Sequence, residues 1–196
     1  METKKILFTG VGGQGTLLAS RLLGQAAMEA GIPVRVSEVH GMAQRGGVVE
    51  STVMLGGLKS PIISDGEADI LVSFEPLEAL RALRRCSVKS TIISNTVPIV
   101  PFTVDLGQAE YPDMDYWLDF MQKNFNKVCA FDAESLAKEA GTTKAVNVVL
   151  LGTLIGLGEV PVSQEMMEQT IRENVKSKFV DANIKALQLG ISKARC

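Results

Sequence analysis

Residues 4–15, Lys-Lys-Ile-Leu-Phe-Thr-Gly10-Val-Gly12-Gly-Gln-Gly15, decide the fold. A short apolar run, Ile6 to Phe8, enters a glycine-rich turn, as a buried strand does where it feeds a helix. Beyond the turn, Leu18, Leu22, Leu23, Ala26, Ala27 and Ala30 recur at helical spacing. Gly31 suits the residue just past a helix end and Pro33 follows it, so the helix stops there. Val34 to Val39 reads as a second strand. Strand, glycine turn, helix and strand within about 35 residues make a βαβ unit, whose right-handed crossover implies a parallel sheet.

Working outward, Val48–Leu55, Asp69–Phe74, Ser90–Ser94 and Val128–Phe131 read as further strands. A helix starts near Glu75-Pro76, where proline is tolerated in the first turn, and carries Leu77, Leu80 and Leu83. Residues 96–113 hold Pro98, Pro101 and Pro112 and break the rhythm, as an edge strand or an excursion. Met114, Trp117, Leu118, Met121 and Phe125 then mark a short amphipathic helix, and everything after Ala133 reads helical. In the last helix Val180, Ile184, Leu187 and Ile191 form one apolar stripe. Val146 to Leu157 is apolar on nearly all sides and holds Gly152 and Gly156, so it needs cover all round, from its own domain or another chain. The expected fold is α/β, Rossmann-like, a mostly parallel sheet flanked by helices with a helical C-terminal part. One domain is expected to span residues 1–196.

Composition sets the outer bounds. A chain of 196 residues buries on the order of 70% of the area its unfolded form exposes, enough for a core without staples. With 46% hydrophobic and 21% charged residues it is not a disordered sequence. The net charge of −2 and the lack of a basic cluster speak against nucleic acid or an anionic membrane as partner. Cys86, Cys129 and Cys196 are too scattered for an iron–sulfur cluster or a Cys₄ zinc site. No secretory signal is evident at the N-terminus, and the expected location is the cytoplasm.

Gly10, Gly12 and Gly15 match G-x-G-x-x-G, with Gly13 and Gln14 inside the motif. Glycines allow close backbone approach, and the helix N-terminus behind them offers free N–H groups and positive dipole. Glu38, near the end of the second strand, falls where dinucleotide-binding folds often place a ribose-binding carboxylate. A freestanding oxidoreductase using NAD(P) is therefore one reading, and a nucleotide-binding scaffold another. Tight packing of helix on strand is the plain alternative for the glycines.

A second glycine-rich stretch, Ser37-Glu-Val-His-Gly-Met-Ala-Gln-Arg-Gly-Gly47, begins where ligands bind in open α/β sheets. It holds the sole histidine, His40, together with Gly41, Arg45, Gly46 and Gly47. The Arg45 guanidinium suits a phosphate, a carboxylate or a neighbouring subunit. His40 is a candidate proton carrier or an ordinary loop histidine, since no second histidine or carboxylate pair accompanies it.

The two glycine loops together resemble the gamma-type domain family of 2-oxoacid:ferredoxin oxidoreductases. The stretch Ser37–Gly47 is most similar to the small (beta) subunits of the indolepyruvate-oxidising branch. Ala68-Asp-Ile-Leu-Val-Ser with Glu75-Pro76, then Asn95, Asn147 ahead of Leu150-Leu-Gly152, Phe179, Asn183 and Gly190 carry the resemblance over nearly the whole chain. It implies a subunit of an enzyme that oxidatively decarboxylates an aryl 2-oxoacid, attaches the acyl group to coenzyme A and passes electrons to ferredoxin. Thiamine diphosphate and iron–sulfur clusters would belong to a large alpha subunit, and this chain would supply no catalytic residue and be inactive alone. Its implied role is to cover the thiamine site or to help seat coenzyme A, whose phosphates suit the first glycine loop. In isolation, partner surface left open makes a homo-oligomer plausible. Ser64-Asp65-Gly66 with Asn95 only partly matches a thiamine diphosphate motif and is read as a chance likeness.

Overall fold

The computed structural model describes residues 3–40 and 47–195, with His40 as backbone only. In chain order the elements are β1 (Lys4–Val11), α1 (Thr16–Glu29), β2 (Val34–His40), β3 (Val48–Leu55), β4 (Ala68–Ser73), α2 (Pro76–Ala82) and β5 (Cys86–Asn95). There follow α3 (Phe102–Asp105), α4 (Met114–Asn124), β6 (Lys127–Phe131), α5 (Ala133–Ala140), α6 (Val146–Gly156), α7 (Gln164–Asn174) and α8 (Ser177–Ser192).

The strands form one sheet in the order β2-β3-β1-β4-β5-β6. The pairs β1–β4, β4–β5 and β5–β6 are parallel, so the sheet is mostly parallel as the sequence implies. The first crossover differs from a simple βαβ unit. β2 and β1 run the same way, but β3 lies between them, antiparallel to both. The connection from His40 to Val48 is too short for a crossover helix, so the chain can only turn back.

Strand alternation divides the core. Ile6, Phe8, Ile70, Val72 and Ile93 face a layer containing α1, α5, α6, α7 and α8, while Leu7, Leu71 and Ile92 share the other face with Met54 and Met121. Every residue of α6 from Val146 to Ile155 is buried. Its cover comes from its own fold: a Cβ on Gly152 would strike the Leu187 carbonyl oxygen, and one on Gly190 would strike the Val149 carbonyl oxygen. Two bare glycines thus let the α6 and α8 backbones touch, and Thr153 Oγ1 donates to Gly190 O at 2.9 Å across the crossing. Among the described residues no helix is long and apolar enough to cross a membrane.

Candidate functional site

The carboxyl ends of β1, β4, β5 and β6 meet along one edge of the sheet, and side-chain amides bind them together. Gln14 Oε1 accepts from Val11 N at 2.7 Å, and Gln14 Nε2 donates to Phe74 O at 2.8 Å, joining β1 to the segment after β4. Asn95 Nδ2 donates to the same carbonyl at 3.1 Å, and Asn95 Oδ1 accepts from Ala133 N at 3.0 Å, carrying the tie to α5. Gly12 N donates to Gly47 O at 3.0 Å, so the first glycine loop is stitched to the end of the second.

Gly10, the first of the motif, sits in β1 beneath this network. A Cβ there would come within 2.8 Å of Gln14 Oε1 and 2.9 Å of Phe74 Cβ, so its bareness serves packing. Gly13 is different: its φ of 103° is left-handed and nothing stands within 4 Å of a Cβ, so its backbone faces open space. Gly15 is the N-cap of α1 and offers no side-chain cap to the helix amides.

Gly13, Gln14 and Gly15 form one wall of a cleft of about 690 Å³, and Thr143 and Lys144 from the α5–α6 connection and Asn147 from the first turn of α6 line it opposite. Lys144 is exposed. Asn147, 2% exposed, donates to Gly15 O at 3.3 Å while its Oδ1 is buried with no hydrogen-bond partner. Thr16 Oγ1, at the first position of α1, is likewise buried and unpartnered. A helix N-terminus and a lysine ammonium attract an anion, and the idle Asn147 oxygen suits a ligand N–H or O–H. Glu134 contributes the one carboxylate among the described residues of the lining and pairs with Lys138 at 3.9 Å.

The other expected site residues lie elsewhere. Glu38 is held by Arg21 of α1, Nε to Oε1 at 2.9 Å and Nη2 to Oε2 at 3.1 Å. β3 separates its strand from β1, so it is one strand farther from the glycine loop than a ribose-binding acid would be. Gly41, Arg45 and Gly46, and the His40 side chain, lie outside the described residues. Asp65 and Gly66 precede β4, at the opposite edge of the sheet, where Asp65 pairs with Arg85 at 3.6 Å. Asn95 is spent on Phe74 and Ala133. These positions do not fit thiamine diphosphate.

Sequence motifs assign no role in the site to three residues at this edge. Lys144 lies in a polar break between helices and has no motif to announce it. Glu75, 1% exposed, caps α2 through Glu78 N and also accepts from Ile99 N at 3.1 Å and Tyr111 Oη at 2.5 Å. It thereby roots the proline-rich excursion beside the cleft. Burial first, and then the bond to Glu75, raise the Tyr111 phenol above its ordinary range, so it remains the donor.

Comparison with known proteins follows the same outline. A family model described as pyruvate ferredoxin/flavodoxin oxidoreductase matches residues 5–193. The indolepyruvate oxidoreductase subunit IorB of Archaeoglobus fulgidus is 42% identical over 189 residues, covering 96% of this chain and 94% of that protein. The crystal structure of the keto/oxoacid ferredoxin oxidoreductase gamma subunit of Geobacter sulfurreducens superposes with a TM-score of 0.72 at 27% identity, covering 97% and 98% of the two chains. The fold also recurs, at a TM-score of 0.73 and 17% identity, within a 2-oxoglutarate:ferredoxin oxidoreductase chain of Magnetococcus marinus, of which it makes up 31%.

Proposed function

Because the chain belongs to the pyruvate ferredoxin/flavodoxin oxidoreductase family, we propose that it is the small subunit of a cytoplasmic 2-oxoacid:ferredoxin oxidoreductase acting on indolepyruvate or a similar aryl 2-oxoacid, and that it works as one gamma-type domain. The near full-length likeness to the Archaeoglobus IorB subunit is the observation that carries this reading. A larger subunit holds thiamine diphosphate and the iron–sulfur clusters, which supply decarboxylation and single-electron transfer to ferredoxin. The chemistry of this chain's own donors supports that division. Burial pushes the Cys86 thiol up to about 11, so it stays protonated at neutral pH and is a poor cluster ligand.

The cleft at the glycine loop seats part of coenzyme A. Free amides at the start of α1 and the Lys144 ammonium receive its phosphates, while Asn147 Oδ1 accepts from a ligand N–H or O–H. The test is the affinity of the reconstituted complex for coenzyme A. Lys144→Glu is expected to weaken it by roughly tenfold or more, the loss of a charge-assisted bond, with the melting temperature unchanged. Wild-type affinity in that variant would remove coenzyme A from the cleft. Turnover of an arylpyruvate by the small chain alone would remove the subunit reading itself.

A further inference from the structure

Among the described residues, six of the fourteen exposed large apolar side chains fall between Ile99 and Phe120: Ile99, Val100, Phe102, Leu106, Tyr116 and Phe120. Phe102 is 73% exposed and Tyr116 61%, and Trp117 holds Tyr116 and Phe120 in edge-on contact at 5.4 and 5.3 Å. Such a concentration of apolar surface marks an interaction site. Its charge is one-sided. Residues 97–122 contain Asp105, Glu110, Asp113, Asp115 and Asp119 and no Lys, Arg or His. Of those five, only Asp119 has an ion-pair partner among the described residues, Lys123. Like charge turns nucleic acid and anionic lipid away from this face, which leaves a protein with a basic and apolar surface.

We propose that residues 97–120 dock onto the larger subunit of the oxidoreductase and that its matching surface is basic; this rests on the small-subunit reading above. Position favours that occupant. Ile99 is 39% exposed and also lines the cleft, and its amide is anchored to buried Glu75. A neighbour seated on the excursion therefore borders the cleft at Ile99.

The experiment co-expresses the full chain with its larger subunit and measures the dissociation constant of the purified pair. Phe102→Lys places a cation and removes an aromatic anchor, and it is expected to weaken assembly on the order of tenfold or more. Leu106→Lys, at a residue 53% exposed, repeats the test independently. Val88→Lys alters a side chain 68% exposed near the start of β5, at the far edge of the sheet, and is expected to leave assembly unchanged. Wild-type affinity in both Phe102→Lys and Leu106→Lys, or an equal loss in Val88→Lys, overturns the docking face while leaving the small-subunit reading intact. Failure of the wild-type chain to bind the larger subunit at all overturns both.

Discussion

The α6–α8 pair and the 97–120 excursion are both rich in apolar residues, yet one is sealed and the other open. In α6 all ten residues from Val146 to Ile155 are buried, and two bare glycines bring the helix axes together. In the excursion Phe102 and Tyr116 stand mostly in solvent. Apolar content does not separate the two; company does. A helix without a polar face must be enclosed, and small residues let its own chain enclose it. Apolar residues interleaved with carboxylates leave the segment open to solvent.

The largest expected effect breaks the sealed region. Gly190→Val drives a side chain into the Val149 carbonyl and should cost about 3 kcal/mol or more, lowering the melting temperature by roughly 6–12 °C. A melt within a degree of wild type would mean that α8 can slide away from α6 without penalty. The open region should respond mainly at its root. Tyr111→Phe removes a donor from buried Glu75, with an expected loss of about 1–3 kcal/mol. Faster proteolysis between Val97 and Glu110 would accompany it, and unchanged cleavage would show that Ile99 alone holds the excursion.

The smallest effect is a pH dependence on the sealed side. Asp132 caps α5, which packs against α8, and its bonds from the Ser135 side chain and amide hold its carboxyl below the ordinary range. A carboxyl depressed in the folded state stabilises above the unfolded pKa, near 4, and loses that contribution as pH falls through the folded value. Asp132→Ala should therefore cost about 1 kcal/mol at neutral pH, with the gap to wild type closing in acid. A gap independent of pH in urea titrations would assign the loss to something other than the charged cap.

Much of the architecture was legible from residue pattern. The periodicities place all six strands and the main helices, and the buried character of Val146–Leu157 follows from its lack of a polar face. The antiparallel insertion of β3 is invisible to periodicity, although the short link between Val39 and Val48 contains the signal: too few residues for a crossover. At the site, the glycine loop was readable because glycine there answers a local backbone need. Lys144, Glu75 and Tyr111 were not, because each gains its role from a neighbour 24 to more than 100 residues away. Glu38 shows the reverse case, a residue whose motif position suggested a ligand and whose neighbour, Arg21, supplies the bond instead.

Sequence alone determined that this chain is an α/β protein with an open glycine turn feeding a helix, since those properties are written in local periodicity and backbone freedom. Tertiary structure alone decided which strand lies beside which, that α8 rather than another chain covers α6, and that Lys144 and Asn147 face the glycine loop. The reason is physical: local preference fixes the state of each segment. Contacts between segments far apart in the chain exist only once the core has closed.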